Sequence, residues 1–268
     1  MPDRIGKIAG RVALAACLIF ALVPVAVAQQ PLPDPPLAPE FMSRFDFHLT
    51  AAGLSHEDQR FSIDTHWGGD FDLVDYVVGR ATFLVDYQAL LGHEFRPFDP
   101  YQSNYLLEAA GSVRLGKTEI YAVLNHVSRH LGDRFKRNPV AENSLGPRVM
   151  RRFATGRTTI DLRGDARKVI ARSFMDYDWI GVAEVSVRRS LNGRASVYGR
   201  GVAETYLIDK TIAGRDRQDG GRVEAGVRLH GARGGFDLFA GYERVVDADP
   251  LDRTARRWAF AGFRLVGH

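Results

Sequence analysis

Residues 193–207 have the sequence GRASVYGRGVAETYL and alternate between two kinds of side chain. One face carries small or apolar residues at Ala195, Val197, Gly199, Gly201, Ala203, Thr205 and Leu207. The other face carries Arg194, Ser196, Tyr198, Arg200, Val202, Glu204 and Tyr206. A period of two residues predicts a β-strand whose faces lie in different environments. The stretch is also long enough to cross a bilayer, because a tilted strand needs about 9–11 residues to do so.

The same alternation recurs through most of the chain after Phe41, and a helical period is almost absent. It is clear in RFDFHLTA (44–51), RFSIDTHW (60–67) and GRVEAGVRLH (221–230). We predict twelve strands, near 43–53, 59–67, 74–91, 104–115, 118–129, 147–154, 157–170, 176–190, 194–208, 221–231, 234–246 and 255–267. Several of them exceed the usual strand length of about 5–6 residues.

The links between these strands alternate between short and long. The short ones are GGDFDL (68–73), GK (116–117), TG (155–156), LNG (191–193) and AR (232–233); the longer ones include 92–103, 130–146, 209–221 and 246–254. This pattern predicts an all-β, transmembrane antiparallel β-barrel of about 12 strands, with short periplasmic turns, longer outer loops and both termini in the periplasm. A soluble periplasmic sandwich or lipocalin-like barrel is the alternative. Aromatic residues near strand ends favour the membrane barrel, since they suit interfacial girdles: Trp67, Tyr87, Tyr105, Trp179, Tyr242 and Trp258.

The first 28 residues predict a secretory signal peptide. Arg4, Lys7 and Arg11 precede an apolar run that ends in Ala-Val-Ala at 26–28. A lipoprotein signal at Cys17, the only cysteine, is the alternative, but too few apolar residues precede it. Residues 29–40 form a Pro-rich periplasmic lead, and residues 41–268 form the barrel. We therefore expect the outer membrane of a Gram-negative cell, with the barrel assembly machinery as a partner. With 36 bases against 32 acids, we expect no nucleic-acid partner.

The predicted inward faces of the strands carry charges of both signs. They include Asp46, His48, Asp64, Asp86, Glu108, Arg114, Glu184, Arg188, Arg200, Glu204, Glu224, Arg228, Asp237 and Glu243. A selective pore would show one dominant sign. The mixture favours a structural salt-bridge network in a largely filled lumen over a small diffusion pore.

The segment LNHVSRHLGDR (124–134) is the candidate site. The two-residue turn 116–117 pairs Leu115 with Thr118, which directs His126 and Ser128 towards lipid. A neutral imidazole can take a serine proton if a third group fixes its tautomer. The alternative interpretation is that these polar residues have no catalytic role and only form the start of the longest loop. Metal binding by His126 and His130 is less favoured, because two histidines four residues apart suit a zinc site on a helix; we predict no metal site.

NHVS (125–128) resembles the N-H-x-S strand of outer-membrane phospholipase A, and lipid A deacylases carry a similar H-x-S. The resemblance implies a twelve-stranded barrel with its His and Ser facing the bilayer, and a third residue that orients the His: Asn143 as in the phospholipase, or Glu142 as in the deacylase. It also implies lipid or lipopolysaccharide as partner, and calcium as a cofactor if the chain is phospholipase-like; otherwise we expect no cofactor.

The chain departs from the phospholipase directly after the serine. The phospholipase continues with Asn-Gly, which helps to build its oxyanion hole and calcium site, whereas this chain has Arg129-His130. As a whole, HVSRHLGD is more similar to the H-x-S-S-H-L-G-D segment of an uncharacterised family of outer-membrane barrels. The sequence therefore favours a structural or interaction barrel. A serine-histidine esterase that uses His126 and Ser128 on membrane lipid, and a small pore, are the alternatives.

Overall fold

The computed structural model describes residues 34–135, 138–212 and 214–267. The predicted signal peptide lies outside these ranges, as does the start of the Pro-rich lead. The strands are β1 Glu40–Leu54, β2 Ile63–Asp75, β3 Arg80–Gly92, β4 Asp99–Leu115, β5 Thr118–Leu131, β6 Val140–Thr155, β7 Thr158–Ser173, β8 Tyr177–Asn192, β9 Ala195–Ile208, β10 Gln218–Gly231, β11 Gly234–Val245 and β12 Arg256–Gly267.

The twelve strands form one closed antiparallel barrel. Each strand pairs with its neighbours in the sequence, and β1 closes the ring against β12. The predicted fold class and strand number are therefore confirmed. The links at one end are short, four of them being the pairs 116–117, 156–157, 193–194 and 232–233. We call this the turn end and the opposite end the long-loop end. No described helix is long and apolar enough to cross a membrane.

The predicted strand boundaries are wrong at several places, including the start of β4 at Asp99, and the largest errors are at β2 and β6. Residues 68–73 are not a turn, because they belong to β2, and the turn to β3 lies at 76–79. Gly68 fits within β2 because it has no side chain. A Cβ there would stand 2.0 Å from the carbonyl oxygen of Val85, so that only glycine allows the close pairing of β2 with β3. The predicted loop 130–146 is also too long, since β6 begins at Val140.

The barrel's outer surface is apolar between the two ends. On β4 to β6 it presents Leu107, Val113, Leu115, Ile120, Leu124, Leu145 and Val149, all more than a third exposed. The alternate residues of these strands are buried, as Tyr121 and Val123 show. Such an apolar surface is rare on water-exposed monomers and suits a lipid environment.

The lumen is filled at its turn end by ion pairs. Arg80 contacts Asp72 at 2.8 Å and Glu119 at 3.1 Å, and all three side chains are buried. Three further groups repeat the pattern around the ring: Arg148 with Glu108 and Asp165; Arg228 and Arg264 with Asp237; and Arg222 and Arg264 with Glu224. Arginine suits such sites because its fork satisfies two carboxylates at once.

The long-loop end is covered by the β11–β12 loop, residues 246–255, which we call the plug loop. Val246 to Asp249 are buried, with Ala248 only 1% exposed. Arg129, on the inward face of β5, donates to the carbonyl oxygens of Asp247 at 2.6 Å and Ala248 at 3.0 Å. The loop therefore folds into the barrel mouth and is held there by the wall.

Candidate active site

The strand β5 places His126 and Ser128 on the outward face, as the register predicts. Leu115 pairs with Thr118 across the turn. From there the outward positions run through Ile120 and Leu124 to His126, Ser128 and His130, while Asn125 is buried in the lumen. Both predicted site residues are partly exposed at the long-loop end. They lie beside the apolar band and not inside the barrel.

Asn143 lies directly opposite His126 on β6. His126 Nδ1–H donates to Asn143 Oδ1 at 2.7 Å. This bond fixes one tautomer of the imidazole and leaves its Nε2 lone pair available as a base. Nε2 makes no hydrogen bond to any residue that the structure describes.

Glu142 cannot orient His126, although the sequence offered it as an alternative to Asn143. Neighbouring residues of a strand point to opposite faces. Glu142 pairs with Val127 and is buried in the lumen at 5% exposure. Of the two predicted orienting residues, only Asn143 shares a face with His126.

Ser128 contacts the second histidine of the segment instead of the first. Its Oγ lies 2.8 Å from His130 Nε2, and within the described ranges it has no hydrogen bond to His126. The ring of His130 also stands edge-on to Tyr105, with centroids 5.6 Å apart. The sequence interpretation treated His130 as part of a loop, whereas it is a strand residue on the same face as Ser128.

A Ser–His contact alone does not mark this site. Two others occur in the described chain: Ser62 Oγ lies 2.7 Å from His93 Nδ1, and Ser196 Oγ lies 3.0 Å from His230 Nε2. What distinguishes Ser128 is a further histidine on the same face, two residues away, whose tautomer is fixed by Asn143.

A row of aromatic rings leads from β2 to the site along the outward face. The centroids of Trp67 and Tyr87 are 5.1 Å apart, and those of Tyr87 and Tyr105 are also 5.1 Å apart. Tyr105 is opposite Ser128. Rings with one apolar and one polar edge favour a membrane interface. The row therefore indicates that His130 and Ser128 lie at the depth of such an interface.

Calcium does not fit the described side chains around Ser128. Calcium takes 6–8 oxygen ligands and usually needs carboxylates. Arg129, directly after the serine, points into the lumen towards the plug loop, and Asp133 pairs with Arg96. No group of three or more described His, Cys, Asp or Glu residues could hold a metal ion.

The predicted lumen residues lie on the inward face, and most have a partner. His48 Nε2 is 2.7 Å from Asp86, Arg200 is 2.7 Å from Glu184, and Arg114 is 2.6 Å from Asp75. Asp46 contacts Arg44, Glu204 accepts a bond from Tyr206, and Glu243 contacts Arg222. His66, which the sequence interpretation left out, bridges Asp64 and Asp86 at 3.2 and 2.8 Å. Arg188 has no ion pair in the described part of the chain.

The plug loop is fastened by charges that the sequence did not single out. Arg215 donates to both carboxylate oxygens of Asp247, at 2.9 and 2.6 Å, and also contacts Asp176. Arg60 reaches Asp249 at 2.6 Å. The side-chain hydrogen bonds from Arg60 hold the pKa of Asp58 at about 2, below its ordinary 3.8. Arg60 and Arg215 are far from the plug loop in the sequence and meet it only because the barrel closes.

Comparison with known proteins identifies the fold and leaves the activity open. No family model matches the chain, and no curated protein matches it in sequence. Among solved structures, an outer membrane channel from Pseudomonas putida F1 superposes with a TM-score of 0.55 at 13% identity, over 90% of this chain and 99% of that one. The outer membrane phospholipase dimer of Salmonella typhi, with bound calcium, gives 0.50 at 12% identity, over 83% and 90%.

An active-site mutant of the Escherichia coli outer membrane phospholipase A, in which an asparagine is replaced by alanine, gives a TM-score of 0.51. It is 11% identical and matches over 88% of this chain and 94% of that one. The chain thus has the fold of outer-membrane β-barrels. At these identities the likeness extends to the fold alone.

Proposed function

We propose that the chain is an outer-membrane barrel that hydrolyses an acyl ester of a membrane lipid, with Ser128 as nucleophile. The observation that carries the proposal is the His126–Asn143 hydrogen bond on the outward face, with Ser128 two residues away. The position of Ser128 on β5, opposite Tyr105 of β4, supports a membrane substrate. From Tyr105 to Leu115, β4 extends about 33 Å along its axis, which a tilt of about 45° reduces to about 23 Å across the membrane. That distance matches an apolar band of about 25 Å.

In the proposed mechanism, His126 is the general base and Asn143 is the residue that positions it. Rotation about χ1 of Ser128 moves its Oγ from His130 towards His126, since residues i and i+2 of a strand share a face and lie about 6–7 Å apart. Nε2 of His126 takes the hydroxyl proton as Oγ attacks the ester carbonyl. The same imidazole then gives the proton to the leaving alcohol, and water releases the acid from the acyl-enzyme.

The resemblance of NHVS to the phospholipase strand supports this assignment, and so does the asparagine named in that enzyme's active-site mutant. The residues after the serine still differ. The Arg129 side chain is directed inwards, and the described residues do not fit calcium. We therefore propose acyl-ester hydrolysis without a calcium requirement. Phospholipid and lipopolysaccharide are the two substrates to compare.

The test is release of fatty acid from phospholipid and from lipopolysaccharide by the purified barrel in mixed micelles, in the presence of a calcium chelator. Ser128→Ala and His126→Ala should each lower kcat by about 10²–10⁴-fold, because each removes a group needed for proton transfer or attack. Asn143→Ala should lower it less. The matched control is Ser62→Ala, which removes another hydroxyl beside a histidine and should leave activity unchanged. Equal rates for wild type and Ser128→Ala, or no fatty acid released by wild type, would refute the proposal.

A further inference from the structure

The lumen contains a chamber beneath the plug loop. Its volume is about 190 Å³, which is room for many water molecules, since one needs about 10–15 Å³ on this measure. The roof is formed by Val246 and Ala248 of the plug loop, and the floor includes Glu108, which belongs to the ion-pair layer at the turn end. The chamber is separate from Ser128, which faces outwards.

The walls of the chamber are mostly apolar, with polar atoms that the protein does not satisfy. Four buried side chains that line it each have an atom without a hydrogen-bond partner: Asn104 Oδ1, Glu142 Oε2, Glu184 Oε2 and Arg167 Nε. Three of these atoms are acceptors. A buried acceptor without a partner costs free energy of order 1–3 kcal/mol, so that a ligand with hydrogen-bond donors would be stabilised here.

Two of the carboxylates in the chamber form no ion pair with a described residue. Glu142 is 5% exposed and forms no hydrogen bond or ion pair with a described residue. Glu204 accepts a hydrogen bond from Tyr206, but no described Arg, Lys or His forms an ion pair with it. The other lining acids have basic partners; Glu108, for example, pairs with Arg148. Arg129 and Arg167 also border the chamber and attract Glu142 from beyond ion-pair distance.

Aromatic rings complete the lining. Tyr177 and Tyr206 pack with their centroids 4.5 Å apart, and Trp258 lies on another wall. Such rings attract organic cations through their electron-rich faces. Carboxylate acceptors, aromatic faces and apolar walls together describe a site for a small amphipathic cation.

We propose that this chamber binds a small alkylammonium ion, with its ammonium group between Glu142 and Glu204 and its hydrocarbon part against the apolar wall. An ammonium group supplies the hydrogen-bond donor that Glu142 Oε2 lacks. The plug loop covers the chamber, and the contact of Asp247 with Arg215 is one of the contacts that hold this loop in place. The inference is independent of the proposed hydrolase, because Ser128 takes no part in it.

The experiment is isothermal titration calorimetry of n-butylammonium chloride into the full-length barrel in detergent, with n-butanol as the neutral analogue. Wild type, Glu142→Gln, Glu204→Gln and Arg215→Ala are compared. Glu57→Gln is the control, since Glu57 is an exposed loop residue. We expect n-butylammonium to bind to wild type or, if the plug loop stays shut, to Arg215→Ala. In whichever of these two proteins binds the ion, Glu142→Gln and Glu204→Gln should each raise Kd by about tenfold or more, because each removes a charge-assisted hydrogen bond.

The control should leave Kd unchanged, and n-butanol should bind at least tenfold more weakly than n-butylammonium. Circular dichroism and a melting curve establish that each variant is folded. The proposal is overturned if neither wild type nor Arg215→Ala binds the ammonium ion, if the two Glu→Gln changes leave Kd as it was, or if n-butanol binds equally well. In the first case the chamber holds only water.

Discussion

Ser128 has a histidine on either side of it along the outward face of β5, and the two differ in their surroundings. His126 is partly buried and hydrogen-bonded to Asn143, which fixes its tautomer. His130 is exposed at the edge of the aromatic row and holds the serine hydroxyl in the present conformation. A base needs a lone pair directed at the nucleophile and a fixed tautomer. On this ground we assign the base to His126 and a holding role to His130.

This assignment predicts that His130→Ala retains activity, because the change releases Ser128 to rotate towards His126. The measurement is kcat for fatty-acid release, beside His126→Ala. The matched control is His93→Ala, which breaks the Ser62–His93 contact of similar length and should have no effect. A large loss of kcat in His130→Ala, with activity kept in His126→Ala, would assign the base to His130 instead.

At the scale of the strands, the alternation of side chains was enough to predict the barrel, the strand number and the outward face of His126. It could not give the start of β6, because the polar residues of 140–146 have the composition of a loop. Asn143 lies in a strand only because β5 offers it a paired edge. That pairing, which is not visible in a single sequence, places Asn143 opposite His126 and directs Glu142 into the lumen.

The position of the plug loop could also not be predicted from the sequence, for a different reason. Its partners belong to other links and to inward strand positions, as with Arg60, Arg215 and Arg129, and their contacts span 32 to 189 residues along the chain. Charged residues in long links have the composition of solvated loops. Only the closure of the ring brings Asp247 and Asp249 into contact with arginines, and burial then makes these contacts strong.

The fastening of the loops should weaken in acid. Because the folded pKa of Asp58 lies below its ordinary 3.8, at about 2, its contribution to stability is fully present above about pH 4. It is lost as the pH falls from 3.8 towards 2. Limited digestion with pepsin across this range should show cleavage in the loops rising as the pH falls, while the strands remain protected.

In Asp58→Asn, the part of this pH dependence that Asp58 contributes should be absent, with more cleavage than in wild type already at pH 4. Arg215→Ala should likewise increase cleavage of the plug loop at pH 4, because it removes the pair of bonds to Asp247. Glu57→Gln serves again as the control. Identical digestion of Asp58→Asn and wild type at every pH would contradict the role given to this contact.

For the whole molecule, two obstacles lie in series along the lumen. The plug loop closes the long-loop end, and a layer of paired arginines and carboxylates fills the turn end. The layer includes Arg80, Arg148 and Arg264, each 4% exposed or less. A barrel of twelve strands has a narrow interior, and paired charges of both signs attract neither cations nor anions selectively. A pore function would require both obstacles to open.

We therefore predict that the wild-type barrel shows no single-channel steps in a planar bilayer. Shortening the plug loop by replacing 247–253 with two glycines should not create steps either, since the ion-pair layer remains. Adding Arg80→Ala and Arg148→Ala to the shortened loop should open a path. Each change removes a large side chain and leaves two carboxylates without their arginine, so that they repel one another. Circular dichroism must show that the combined variant still folds. Steps in wild type would contradict the filled lumen, and steps after loop shortening alone would show that the ion-pair layer does not block ions.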